Sequence, residues 1–169
     1  MTEPSTHVAT AGDLQAHPGI VAVTSRLREL GANGEVRVFA EGVRTAKAAA
    51  EALGCEVGAI ANSLVFDAAG SPVLILTSGA HRVDTAMTAE LIGVVSLDRA
   101  DPDFVREHTG QVIGGVAPVG HPKPVPTYVD QALAAYPQIW AAAGHSHAVF
   151  ATTYDELTRI TGATEIRVN

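Results

Sequence analysis

The sequence predicts one α/β domain built on a mixed β-sheet. Helical-period and strand-period segments alternate along the chain, which calls for a sheet with helices packed on it. Two neighbouring strands read as a hairpin, and a purely parallel sheet has none. The composition, 47% hydrophobic and 17% charged, is that of a chain that buries a core. At 169 residues, one core suffices.

The elements follow in order. Residues 1–15, rich in Thr, Ser, Ala and Gly, read as a flexible N-terminal arm, and 16–169 as the domain. In PGIVAVTSRLREL, Ile20, Val23, Leu27 and Leu30 recur at helical spacing, with Pro18 suited to the first turn and Gly31 to the stop. EVRVFA, 35–40, alternates as a strand. Thr45 opens the Ala-rich helix that Gly54 ends. AIANSLVFD, the turn AAGS and PVLILTSG form the hairpin. HRVDTAMTAELIG, 81–93, reads as a helix with Asp84 near its start. DPDFVREHTG reads as another, with Asp101 as cap and Pro102 in the first helical position. PVPTYVDQALAAYP holds a short extended piece and a helical turn. QIWAAAG and HAVFATT are strands around Gly144, TYDELTRITG is a helix opened by a Thr153–Glu156 capping box, and EIRV is a last strand.

Charge and composition limit the function. A net charge of −7, with eleven scattered basic residues, argues against sequence-independent binding along a nucleic-acid backbone. Contact with the end of a nucleic acid is not excluded. The single cysteine, Cys55, precludes an internal disulfide. No apolar run is long enough to span a membrane and no leader pattern opens the chain, so a cytoplasmic location without membrane contact is expected.

The stretch GQVIGGVAPVGHPKP, 110–124, is the strongest local signal. It is not a Walker loop, because Gly115 is followed by Val116 and no Lys comes before Lys123. Nor is it a dinucleotide fingerprint, since it follows a helix and precedes extended chain. One reading is a simple helix-to-strand connection. The other is that Gly114 and Gly115 let a substrate approach the backbone, whose N–H groups stabilise an oxyanion.

The series TAKAAAEALGCEVGAIANSLVF, SGAHRVD, LDRADPDFVREHTGQVIGGVAPVGH, IWAAAG and HAVF resembles the YbaK/ProX family of editing-domain-like aminoacyl-tRNA deacylases, over about residues 18–168. The resemblance implies a barrel-like mixed sheet flanked by helices. It implies hydrolysis of the ester joining a wrong amino acid to the 3′-terminal adenosine of a tRNA. No cofactor is expected, and no metal, since HExxH, CxxC and a defined third ligand are missing from the sequence. The implied partners are that tRNA end and a cooperating aminoacyl-tRNA synthetase; the oligomeric state, including a homo-oligomer, stays open. By the same resemblance the pocket lies between the IANSLVF strand and the GGVAPVGH loop. It takes in Asn62, Ser63 and Leu64, the segment residues His81, Arg82 and Asp84, and the loop residues Gly114, Gly115, Pro118 and Gly120. One position departs: the family's strand carries Lys-Ser-Leu where this chain has Asn62-Ser63-Leu64. Lys123, just beyond the loop, is a candidate to replace that charge.

The chemistry reads as follows. No GxSxG elbow supplies a serine nucleophile, and Cys55 reads as a small buried residue. Gly114 and Gly115 are the expected carbonyl donors, with Asn62 and His121 facing substrate. His121 is either a general base or a hydrogen-bonding rim residue. Ser63, Leu64, His81, Arg82, Pro118, Gly120 and Lys123 are expected to contact substrate. On an alternating strand Asn62 and Ser63 point to opposite sides, so one of the two is expected in the pocket. Asp84 and Asp101 read as caps and Trp140 as core. Two further readings remain: a catalytically altered binding module for a small amino-acid or nucleotide ligand, and a metal-dependent hydrolase using His145, His147 and His121.

Overall fold

A computed structural model describes residues 14–169. Most of the N-terminal arm therefore lies outside the described residues; Leu14, near its end, is buried in the main core. The elements are α1 (Pro18–Glu29), β1 (Val36–Val38), α2 (Ala46–Leu53), a 3-10 turn (Val57–Ala59), β2 (Ile60–Ala68), β3 (Ser71–Ser78), α3 (Thr85–Ile92), β4 (Asp98–Arg99), α4 (Pro102–Thr109), β5 (Thr127–Asp130), a second 3-10 turn (Gln131–Ala135), β6 (Ile139–Ala142), β7 (Ala148–Thr152), α5 (Tyr154–Thr161) and β8 (Thr164–Ile166).

The helices begin where polar caps satisfy their first amides. Thr45 accepts from Ala48 N, Asp84 from Met87 N, Asp101 from Phe104 N and Thr153 from Glu156 N. Left-handed glycines at 54, 93, 110 and 162 end α2, α3, α4 and α5. Two expectations shift. The helix expected from 81 begins only at Thr85, because Asp84 is its cap and 81–84 have no regular structure. The capping box is half formed: Glu156 turns away from the helix to bind Thr152 Oγ1 and the amide of Asn33.

The sheet is mixed, in the order β1-β7-β6-β2-β3-β5-β8. The hairpin β2–β3 is antiparallel over eight paired positions and turns at Ala69 and Gly70, both at positive φ. β3 pairs in parallel with β5, and β5 with β8. The other edge of β2 is divided. Ile60 and Ala61 pair in parallel with β6, and Phe66 and Asp67 pair antiparallel with β4. Residues 62–65 lie between these pairings with a strand partner on the β3 side alone.

The main core lies under α1 and α5, with Phe150, Leu74, Leu76, Leu133, Ile139 and Leu157 fully buried. Asp130 is the buried polar node that ties β5 to the end of β3. It is 1% exposed and accepts from Ser78 N, Ala132 N and His81 Nδ1, at 3.0, 3.0 and 2.9 Å. Removing such a carboxylate strands buried donors. Asp130→Ala is expected to lower unfolding free energy by about 2–4 kcal/mol, measured by denaturant titration.

Candidate active site

The gap in the edge of β2 opens into a cleft of two lobes. The larger, about 440 Å³, is walled by Val65, Phe66, Val83, Ala100, Val105 and Val116, with Arg82 and Arg99 at its rim. The smaller, about 200 Å³, has Asn62, Arg44, Thr45 and Trp140 among its walls. Ser63, Leu64, Ile113, Gly114 and Val116 line both. The lobes therefore meet where the unpaired stretch of β2 faces the Gly-rich loop. Among the described residues no carboxylate lines either lobe, in a chain of net charge −7.

The loop is fixed from inside by one side chain. Gln111 is 7% exposed; its Oε1 accepts from Ala117 N at 2.6 Å and its Nε2 donates to Val119 O at 3.2 Å. A side-chain amide is suited to this because it offers both a donor and an acceptor. The two glycines do different work. Gly114, at φ +92°, is the third residue of a tight turn closed by Gly115 N–H donating to Val112 O at 3.0 Å. That position in a type II turn requires positive φ. Gly115 lies flush against the 145–146 backbone, where a Cβ would stand 2.5 Å from the carbonyl carbon of His145. Gly115 N–H is thus occupied within the turn, whereas Gly114 N–H makes no hydrogen bond to a described residue.

The sequence-predicted residues separate into two groups. Asn62, Ser63, Leu64, Arg82 and Gly114 line the cleft. Both Asn62 and Ser63 reach it, because it runs over an open strand edge rather than across one face. Ser63 Oγ is buried there without a hydrogen-bond partner among the described residues. Pro118, Gly120, His121 and Lys123 instead line a separate depression with Arg26, Pro124 and Ile160. His121 Nε2 donates to Ala117 O at 2.8 Å, so the structure does not bring it to the cleft. Nor does Lys123 stand beside Asn62. His81 is held by Asp130.

His145 and His147 do not meet His121. They stand in a row with His17, ring centroids 4.6 Å (His17–His145) and 5.0 Å (His145–His147) apart, behind Gly115. Each Nδ1 has a backbone partner: Gly19 N, His147 N and Phe39 O for His17, His145 and His147. Among the described residues no three His, Cys, Asp or Glu side chains are placed to hold one metal ion. Cys55 lines neither lobe, and burial pushes its thiol pKa up, away from a nucleophilic thiolate.

Sequence reasoning missed Arg44, Arg99, Ile113 and Val116 as cleft residues. Trp140, expected in the core, is half-buried in the smaller lobe's wall, with Arg37 stacked 5.0 Å from its ring centroid. For Arg44 one signal existed: it directly precedes the Thr45 cap, where side chains leave the helix end.

The structure is thus an α/β domain in which a glycine turn stands against an unpaired strand edge. The comparisons give the family. The model of the aminoacyl-tRNA editing domain matches residues 40–160, and the chain belongs to that family. A crystal structure of a "putative trans-editing enzyme for prolyl tRNA synthetase" is 42% identical, with TM-score 0.82 over 90% of this chain and 97% of that one. A structure from work on epitope backbone grafting onto scaffold proteins by computational design is 38% identical, with TM-score 0.84 over 90% and 97%. The uncharacterised protein YwhH of Bacillus subtilis (strain 168) is 28% identical over 138 residues, 81% of this chain and 87% of YwhH.

Two predictions follow from the geometry. Gly115→Ala forces the loop off the 145–146 backbone and is expected to lower stability by about 1–3 kcal/mol, read by denaturant titration. Burial, first of the causes, lowers the pKa of both His121 and His145 below the ordinary 6.5; His17, His147 and Arg44 add to it at His145. The unfolded chain then binds more protons at mildly acid pH. Stability is present in full above about 6.5 and falls as pH drops from there toward the folded-state values. Denaturation midpoints across that range should show the loss, and His121→Gln and His145→Gln should each flatten it.

Proposed function

We propose that the cleft hydrolyses the ester of a mischarged aminoacyl-tRNA, acting in trans. The observation that carries the reading is the junction of the lobes. There Gly114, whose amide makes no hydrogen bond to a described residue, lines the cleft together with Ser63 and Leu64 of the open edge of β2. A 3′-aminoacyl-adenosine has two unlike halves joined by one carbonyl, and a cleft of two unlike lobes joined by a polar seam suits it. Membership of the editing-domain family and the likeness to the trans-editing structure support the same substrate class.

The residues take these roles. Gly114 N–H donates to the ester carbonyl oxygen and stabilises the charge that develops there. Ser63 Oγ gains in the substrate the partner it lacks in the protein. The Asn62 amide both donates and accepts toward ribose oxygens. Water adds to the carbonyl carbon, the bond to the ribose 3′ oxygen breaks, and that oxygen takes up a proton. Among the described residues no His, Asp, Glu or Cys lines the lobes, and in this reading the proton passes through solvent or a substrate hydroxyl. His121, in its separate depression, takes no part.

Asn62 also favours a second reading, a binding module for an amino-acid or nucleotide ligand, since a neutral amide replaces the cation that the resemblance implies. Deacylation of a panel of mischarged tRNAs, by the natural chain and by Asn62→Lys, separates them. The expected result is turnover by the natural chain that chelator leaves unchanged and that His121→Ala retains within about threefold. Turnover by Asn62→Lys alone would favour the binding module, and inertness of both would end the deacylase reading.

A further inference from the structure

Arg44 brings a cation to the cleft. Among the described residues it is the one charged side chain lining the smaller lobe, which Asn62 also lines. Its stem runs along the glycine turn: Arg44 Cγ, Cβ and Cδ lie 3.5, 3.6 and 4.0 Å from where a Gly114 Cβ would stand. Its backbone is fixed on both sides. Val43 N donates to Ser146 O at 2.7 Å, and Thr45 caps α2. The side chain is exposed and makes no ion pair among the described residues. Among the described residues no carboxylate lines either lobe to compete for the guanidinium.

We propose that Arg44 binds the phosphate on the 5′ oxygen of the substrate's terminal nucleotide; this rests on the reading of the cleft as an ester-hydrolysing site. That phosphate and the 3′ ester are carried by the same ribose. An anion therefore accompanies the carbonyl whichever lobe the base enters, and it lies about one sugar from the Gly114 turn. A guanidinium whose stem is fixed against that turn meets it with two parallel N–H donors. Arg44 then holds the ribose in register with Gly114 N–H while the neutral Asn62 amide addresses the sugar oxygens. The cation comes from the residue ahead of a helix cap rather than from the strand.

The test compares two substrates that differ in the phosphate: an aminoacyl-tRNA that the natural chain hydrolyses, and the 3′-O-aminoacyl ester of adenosine, which has none. Arg44→Ala is expected to lower kcat/KM for the tRNA ester about tenfold or more and to leave the nucleoside ester unchanged. It should also weaken the salt dependence of the tRNA reaction, and Arg44→Lys should restore part of the rate. Thermal unfolding of Arg44→Ala should match the natural chain, as the side chain is exposed. Equal loss on both esters, no loss on either, or a phosphate-dependent loss in Arg82→Ala or Arg99→Ala alone would overturn the assignment. A natural chain inert on both esters would remove the cleft reading and this proposal with it.

Discussion

The site depends on how β2 changes partners along one edge. It begins in parallel pairing with β6 and ends in antiparallel pairing with β4, and no single neighbour satisfies both. The interval, residues 62–65, is bonded on the β3 side and open on the other. Strand edges carry rows of backbone donors and acceptors, and proteins ordinarily cover them. Here the covering segment is the Gly-rich loop, which stands off far enough to leave a cleft. The rest of the loop's construction keeps that distance fixed. Gln111 ties its middle from within, Gly114 makes the turn, and Gly115 lies directly on the 145–146 backbone.

The electrostatics follow from what is left out. The chain is acidic overall, yet among the described residues the cleft carries Arg44, Arg82 and Arg99 and no carboxylate. An acidic exterior disfavours the body of a polyanion, while a basic cleft favours one terminal phosphate group. Among the described residues the walls hold no acid, imidazole or thiol, which agrees with the proposed chemistry by placement, in which a fixed amide polarises a carbonyl and the substrate's neighbourhood handles the proton.

Much of this was legible in the sequence. Caps and glycine stops located α1, α2, α4 and α5 to within a residue or two, because those signals are local and chemical. The hairpin was legible from alternation and its turn. The family-like motifs pointed to Asn62, Ser63, Leu64, Arg82 and Gly114, which the structure places around one cleft. Other features were not legible. β4 is two residues long and exists only as a partner for the end of β2, so it has no periodic signature. The displacement of His121 and Lys123 from the cleft depends on how the loop folds beyond Ala117, where adjacency in sequence stops implying adjacency in space. Trp140 and Arg44 join the site through parallel pairing and a helix approach from distant segments. The different duties of Gly114 and Gly115 needed the turn's φ and the position of the 145–146 backbone.

Backbone amide spectra recorded with a non-hydrolysable 3′-aminoacylamido-adenosine would show whether the glycine turn and the open edge of β2 hold the substrate. The Gly114 amide should move downfield, together with shifts at Ser63 and Leu64, while Gly115, already bonded to Val112, keeps its position. Shifts confined to the depression around His121 and Lys123, with Ser63, Leu64 and Gly114 silent, would place the ligand elsewhere and contradict the site described.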